Sequence, residues 1–244
     1  MQAKYKNYVF DLYGTLFDVW TDETDPSFRE AVSKFYSGNG AEYGPDEFIN
    51  EYLRLCGEAQ SADPDPYFEL ELRDVFGKLY SLKGVDADAR LVAETAVYFR
   101  KASTKKLELY PWVRPVFGMI KRAGGRIFLL SNAQACFTMP ELAEKGIAGD
   151  FDGIVISSDV SAKKPSPKIM LALLDRFELN AEDCLMTGND QHTDVAIARS
   201  FSMDSFYIKT ATSGEYDPLL KADIELLNED YTKIPGLIGL KDYV

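Results

Sequence analysis

Short apolar segments that alternate with helix-like segments constrain the fold of this sequence more than any other feature. The alternation begins at Tyr110 and continues through most of the remaining chain. We predict strands at 126–130, 153–157, 184–187, 205–208 and 223–227, with helices at 112–123, 139–145, 166–177 and 193–200. Such alternation is typical of a parallel sheet with helices on both faces. The apolar run 7–12 predicts a first strand of the same sheet, so the predicted fold class is α/β with a doubly wound parallel-sheet (Rossmann-like) core domain.

A different pattern separates the first strand from the others. Apolar residues at helical spacing predict helices at 26–38, 45–59, 67–82 and 87–104. Consecutive helices with short connections are typical of a small bundle. We therefore predict a core domain of residues 1–17 and 109–244 and an inserted α-helical bundle of residues 18–108. The bundle is expected either to take part in recognition or to form a second core without such a role.

Composition narrows the possible partners. The formal net charge of −12 repels nucleic acid and anionic membrane surfaces, so neither is expected to bind. It does not exclude a small anionic substrate, because the local charge of a cleft decides that. No apolar run approaches the roughly 20 residues that span a bilayer. The first residues contain no apolar signal region, and the three cysteines fit neither a disulfide framework nor a metal site, so we expect a cytoplasmic protein. No feature of the sequence indicates the oligomeric state.

Polar side chains stand at the ends of four predicted strands. Asp11 ends the first, and Ser131 and Asn132 end the second. The third is followed by the segment 163–167, KKPSP, and the fourth by the segment 188–194, GNDQHTD. In doubly wound sheets, sites form at the carboxyl ends of the strands. We therefore expect these groups to meet in one site.

The segment 10–18, FDLYGTLFD, resembles the first motif of the haloacid dehalogenase superfamily of aspartate-nucleophile hydrolases. The other three strand ends match the later motifs of that superfamily in order, and the inserted bundle resembles the cap of its helical-cap (C1) subclass. The resemblance implies that Asp11 is the nucleophile and that a phosphatase of this type needs Mg²⁺. It implies that Thr15, Ser131, Asn132 and Lys164 bind the substrate anion and that Asp11, the main-chain carbonyl of Tyr13, Asn189, Asp190 and Asp194 provide metal ligands. Hard oxygen ligands are those that Mg²⁺ prefers.

Each of these groups also has an ordinary structural explanation. A strand-end aspartate such as Asp11 can cap a turn, and Asp190 and Asp194 can cap a helix. Ser131 and Asn132 can start a helix. Lys163 competes with Lys164 for the cationic position, although the Lys-Pro pair favours Lys164. Either Asn189 or Asp190 can supply the metal ligand of the fourth motif.

Tyr13 departs from the pattern of family phosphatases, which carry a second aspartate two residues after the nucleophile. That aspartate protonates the leaving oxygen and later activates water, whereas a phenol with a pKa of about 10 is a poor base at neutral pH. Tyrosine at this position is familiar from L-2-haloacid dehalogenases, which need no metal and use a cap arginine for the halide. Arg29 and Arg54 are candidates for that arginine, but Met170 stands where those enzymes carry a tyrosine. The retained acidic pair favours a Mg²⁺-dependent phosphatase of a small phosphorylated metabolite; the alternatives are a dehalogenase and a non-catalytic binding protein with the same fold.

Overall fold

A parallel sheet forms the centre of the protein, whose computed structural model describes residues 4–241. Six strands make this sheet: β1 (Asn7–Phe10), β4 (Arg126–Ser131), β5 (Gly153–Ile156), β6 (Cys184–Gly188), β7 (Asp204–Ile208) and β8 (Ile224–Leu226). Their order is β5-β4-β1-β6-β7-β8, and every neighbouring pair is parallel. The predicted doubly wound α/β fold is confirmed, with β1 in the middle of the sheet beside β4 and β6.

Alternate side chains of β1 face opposite hydrophobic cores. Tyr8 and Phe10 pack on one face with helix α5 (Val113–Arg122) and with the C-terminal helix α10 (Ile234–Leu237). Val9 packs on the other face with helices α8 (Pro167–Phe177) and α9 (Ala196–Ser200), and the short helix α7 (Ser157–Val160) follows β5. Strands that are buried on both faces contain near-continuous apolar runs, which explains the consecutive apolar residues Tyr8, Val9 and Phe10 of β1.

The inserted segment contains four helices, as predicted. They are α1 (Pro26–Gly38), α2 (Pro45–Ser61), α3 (Leu72–Ser81) and α4 (Ala89–Ser103). Their buried aromatic side chains form a cluster together with Tyr43, which lies between α1 and α2; its members are Phe28, Tyr36, Tyr43, Phe48, Tyr52, Phe76, Tyr80 and Phe99. Phe137 from α6 (Ala135–Glu144) completes this cluster, and its ring stacks on that of Phe99 with centroids 6.0 Å apart.

Two predicted helix starts were wrong, and one pair of strands was missed. The helix expected at 67–82 begins only at Leu72, because residues before it bond to the sheet domain: the Tyr67 carbonyl accepts from Lys163 N, and the Leu70 carbonyl accepts from Gln134 Nε2. The helix expected at 139–145 begins at Ala135, and Pro140 lies inside it. The sequence also gave no sign of the antiparallel ribbon of β2 (Phe17–Thr21) and β3 (Thr104–Leu109), which pairs Phe17 with Leu109.

Among residues 4–241, no helix combines the length and apolar character needed to cross a bilayer. All three cysteines of the chain lie in this range and are free thiols.

Gly153, at the start of β5, provides a test of core packing. A Cβ atom added there would lie 2.3 Å from Cζ of Phe177, whose ring packs against Phe128. We expect Gly153→Ala to lower the free energy of unfolding by about 1 to 3 kcal/mol, the usual cost of overpacking. Urea unfolding measures this loss. Gly149→Ala is the matched control, because nothing lies within 4 Å of its added Cβ; equal losses in both variants would contradict the packing described here.

Candidate active site

Asp11 lies immediately after β1, at the carboxyl end of the middle strand. Its main-chain N–H donates to the Thr187 carbonyl of β6 at 2.9 Å, which extends the ladder by one residue and fixes the side chain at the edge of the sheet. Parallel strands place the residues that follow them at this same edge. The segments after β4, β5 and β6 therefore surround Asp11, as the sequence predicts.

Lys164 joins two of these segments to Asp11. Its ammonium donates to Asp11 Oδ1 at 2.8 Å, to Asp194 Oδ1 at 2.7 Å and to the Leu130 carbonyl at 2.8 Å. These three acceptors use its three hydrogens. Burial by itself lowers the pKa of Lys164, but the two carboxylates raise it above its ordinary value, so the side chain carries a positive charge. The position favoured for the cation, Lys164 rather than Lys163, is the one in contact with Asp11.

Asp194 is almost fully buried, and both of its oxygens accept hydrogen bonds. Oδ1 accepts from Lys164, and Oδ2 accepts from the Asp190 N–H at 3.1 Å. Burial raises the pKa of the Asp194 carboxyl to about 7, against the lowering effect of the Lys164 ammonium. Gly188 permits this close approach to the end of β6, because a Cβ there would lie 2.0 Å from Asp194 Oδ2.

Thr15 and Asn189 support the second oxygen of Asp11. The buried Thr15 hydroxyl lies 3.0 Å from Asp11 Oδ2 and 3.1 Å from Asn189 Oδ1, and it donates to either. The Asn189 amide donates in turn to Thr210 and Thr212 at 3.4 and 3.2 Å. Thr15, which we predicted to bind substrate, thus contacts the carboxylate of Asp11 directly.

Ser131 and Asn132, at the end of β4, differ in their contacts. Asn132 Oδ1 accepts from the Lys164 N–H at 2.6 Å, and its Nδ2 donates to the Lys164 carbonyl at 3.1 Å, so this amide holds the Lys164 backbone in place. The Ser131 hydroxyl is completely buried and has no hydrogen-bond partner within the described part of the chain. A buried donor of this kind is suited to an oxygen of a bound anion.

Asp190 is exposed, and its carboxylate accepts from the His192 N–H at 2.8 Å at the start of the π-helical turn Gln191–Val195. The capping role considered for Asp190 is therefore present.

Asp11 and Asp194 meet at Lys164, but residues 4–241 contain no group of three or more His, Cys, Asp or Glu side chains arranged to hold a metal ion. Two carboxylates still fit Mg²⁺, which is usually held by one or two of them and retains several waters.

A cavity of about 340 Å³ opens above these groups. Asp11, Tyr13, Val19, Asn132, Lys164, Asn189, Asp190, Thr193, Asp194 and Thr212 contribute side chains to its lining. A second cavity of about 490 Å³ shares Tyr13, Val19 and Asn132 with the first and adds Arg100 and Phe137. The inserted segment therefore contributes to the walls of both cavities.

A buried cluster around Tyr13 was not predicted from the sequence. The Tyr13 hydroxyl donates to Glu141 and lies 3.2 Å from the hydroxyl of Thr138, and both partners belong to α6. Arg100 Nε donates to Glu141 Oε1 at 2.6 Å, and its guanidinium lies over the Tyr13 ring, 5.1 Å from the centroid. Burial and the nearby Glu141 raise the pKa of Tyr13. Only Tyr13 belongs to a recognised motif; Arg100, Thr138 and Glu141 are dispersed along the chain, so no sequence signal could have linked them to it.

The other candidates from the dehalogenase comparison lie elsewhere. Arg29 pairs with Asp46, and Arg54 pairs with Glu51 and Glu58 on the surface of α2. Met170 is fully buried in the core between the sheet and α8. None of the three lines either cavity described above.

Residues 5–201 match the family model described as haloacid dehalogenase-like hydrolase. The phosphoglycolate phosphatase of Vibrio cholerae is 28% identical over 232 residues, which cover 91% of each chain. The glyceraldehyde 3-phosphate phosphatase of Methanopyrus kandleri is 23% identical over 220 residues, which cover 90% of each chain.

Solved structures show the same fold. A HAD phosphatase from Thermococcus onnurineus has a TM-score of 0.61 at 20% identity, with complete coverage of both chains. A 2-haloacid dehalogenase from Pseudomonas syringae has a TM-score of 0.67 at 19% identity, covering 96% of this chain and 98% of its own. At such identities the likeness concerns the fold alone.

Proposed function

This chain belongs to the haloacid dehalogenase-like hydrolase family, and we propose that it is a phosphatase in which Asp11 attacks the phosphoryl group of a small phosphorylated metabolite. Two relatives aligned over nine-tenths of the chain are phosphatases of such metabolites by name. The observation that carries the proposal is the Asp11 carboxylate at the floor of the cavity, bonded to Lys164 and Thr15. A carboxylate that accepts from an ammonium and a hydroxyl in this way is oriented for attack.

The chain's own residues have distinct roles in the proposed reaction. An Asp11 oxygen forms a bond to phosphorus while the ester bond breaks, and water then cleaves the resulting aspartyl phosphate. Lys164 keeps positive charge beside the attacking carboxylate, and the Ser131 hydroxyl donates to a phosphoryl oxygen. Asn132 maintains the position of Lys164 through both of its amide atoms.

A divalent cation fits the same cavity. Asp11, Asp194 and the main-chain carbonyl of Tyr13 would hold Mg²⁺, with Asn189 or Asp190 as a further ligand. When bound, the ion would offset the repulsion between the Asp11 carboxylate and the phosphoryl group.

We also propose that residues 18–108 act as a cap on a core of residues 1–17 and 109–244. Val19 and Arg100 line the cavities beside the site. Polar contacts join the segment before α3 to the sheet domain: Glu69 accepts from Ser157 Oγ at 2.8 Å, and the Leu72 N–H donates to Gln134 at 2.9 Å. These contacts support a cap that closes over the substrate and selects it.

Removal of divalent cations tests the proposed chemistry. We expect dialysis against EDTA to lower phosphate release from a panel of small phosphate esters by roughly 10²-fold or more, with recovery on addition of Mg²⁺, because a metal ion contributes several kcal/mol to such reactions. Phosphate release that EDTA leaves unchanged would refute the role of Mg²⁺. The same panel should contain L-2-chloropropionate; halide release from it, without phosphate release from any ester, would identify a dehalogenase instead.

A further inference from the structure

We infer that this phosphatase acts on phosphates whose leaving oxygen is weakly basic, such as acyl, enol or aryl phosphates, rather than on esters of simple alcohols. The inference rests on the proposed function and specifies its substrate class. It follows from the way Tyr13, two residues after the proposed nucleophile, is held.

The single hydroxyl proton of Tyr13 already takes part in a hydrogen bond. The phenol donates it to Glu141, on the side of α6, and the Thr138 hydroxyl lies on the same side at 3.2 Å. Tyr13 lines the cavity above Asp11. Its ring therefore faces the substrate, while its only proton is bonded to α6.

The hydrogen bond from the Tyr13 hydroxyl to Glu141 is costly to break. It is buried, and its other oxygen accepts from Arg100 Nε at 2.6 Å in an ion pair that is only 15% and 7% exposed at the two side chains. Rotation of the Tyr13 hydroxyl towards the substrate would remove a hydrogen bond from a buried carboxylate, which is costly. The Arg100–Glu141 pair thus acts as a positioning element for Tyr13.

The other charged groups of the cavity also take part in hydrogen bonds. The three hydrogens of Lys164 are all donated, and both oxygens of Asp194 accept hydrogen bonds. The exposed Asp190 carboxylate accepts from the turn that follows it. The remaining polar groups of the described lining are amides and aliphatic hydroxyls, which do not release a proton at neutral pH. None of these groups is arranged to protonate a leaving oxygen beside Asp11.

This arrangement has a direct chemical consequence. When an Asp11 oxygen bonds to phosphorus, the phosphorus–oxygen bond of the ester breaks and its electron pair stays on the leaving oxygen. A simple alcohol would leave as an alkoxide about as basic as hydroxide, whose conjugate acid has a pKa near 16, and such a group needs a proton during the reaction. A phenolate or a carboxylate, with conjugate acids of pKa about 10 and about 4, leaves without one. Water then attacks phosphorus, the Asp11 carboxylate leaves unprotonated, and both hydrogens of the water stay with the released phosphate until it exchanges protons with the solvent.

Leaving-group dependence tests the inference. The wild-type protein, with Mg²⁺, is assayed on acetyl phosphate, on a series of substituted phenyl phosphates that includes p-nitrophenyl phosphate, and on glycerol 1-phosphate. We expect kcat/KM to fall steeply as the pKa of the leaving group rises, with glycerol 1-phosphate roughly 10²-fold or more below p-nitrophenyl phosphate, which is the usual contribution of general acid catalysis. An enzyme that protonates the leaving oxygen shows a shallow dependence.

Tyr13→Asp gives the converse result, because a carboxyl at this position can supply the proton. We expect the ratio of kcat/KM for p-nitrophenyl phosphate to kcat/KM for glycerol 1-phosphate to fall by about tenfold or more, because kcat/KM for glycerol 1-phosphate rises. If this variant fails to fold, the wild-type series decides by itself. Equal kcat/KM on aryl and alkyl esters would overturn the inference but would still agree with the proposed phosphatase function. Hydrolysis of none of these phosphates would overturn the proposed function together with the inference.

Discussion

Asp11→Asn is expected to lower kcat/KM for every phosphorylated substrate by about 10⁴-fold or more, the scale seen when a catalytic nucleophile is removed. The amide has nearly the shape of the carboxylate, and its single oxygen can accept from Lys164, whose ammonium lies 2.8 Å from Asp11 Oδ1. Its NH2 group can donate to the Thr15 hydroxyl, which lies 3.0 Å from Asp11 Oδ2. The amide lacks the charge and the nucleophilicity that the first step requires. Phosphate release under saturating and limiting substrate measures the loss.

A matched control comes from the same motif. Asp18 lies in β2 and pairs with Lys106 at 2.5 Å on the ribbon, and no role in the site is assigned to it. Asp18→Asn should retain turnover within a few-fold of the parent. Circular dichroism of both variants distinguishes a chemical defect from unfolding. Turnover that survives Asp11→Asn would refute the assignment of the nucleophile.

Arg100→Met is expected to cause the largest loss of stability among the single substitutions considered. It leaves the buried Glu141 carboxylate without its ionic partner, while the methionine stem retains packing against Phe137 and Tyr13. Removing one member of a buried ion pair costs about 3 to 5 kcal/mol, and the partial exposure of Arg100 favours the lower end of this range. The midpoint and slope of urea unfolding give the free energy.

Lys34→Met is the control for this substitution. Lys34 pairs with Glu30 at 2.7 Å on an exposed face of α1, where such a pair contributes about 0 to 1 kcal/mol. The double variant Arg100→Met/Glu141→Gln should recover much of the lost stability, because the neutral amide can still accept from Tyr13. Similar losses in Arg100→Met and Lys34→Met would contradict the importance of the buried pair.

The core fold could be predicted because its strands are buried on both faces and end in polar groups. Asp11, Lys164 and Asp194 are far apart in sequence, but each follows a strand of a parallel sheet, so their presence at one edge could be predicted without the strand order. Their catalytic roles stay predictions. The start of α3 at Leu72 could not be predicted, because it depends on a hydrogen bond to Gln134 from a different part of the chain.

The Tyr13 cluster illustrates a second limit of prediction from the sequence. Arg100 and Glu141 are 41 residues apart, on helices whose packing angle no local pattern encodes. Each residue alone resembles an ordinary charged position on a helix surface. The ribbon of β2 and β3 was missed for a related reason: β3 has only six residues, and its exposed and half-buried positions do not alternate strictly, so it gives weak evidence for a strand.

Helix α6 has an implication for how freely the parts of this protein can be exchanged. Its Phe137 completes the aromatic cluster of the inserted helices, and its Glu141 pairs with Arg100 of α4, although the helix itself follows a strand of the sheet. A chimera that received a foreign insertion between β1 and β4 would leave one hydrophobic ring and one buried charge without partners. The insertion and α6 therefore have to diversify together, and transplanting the insertion requires transplanting this helix surface with it.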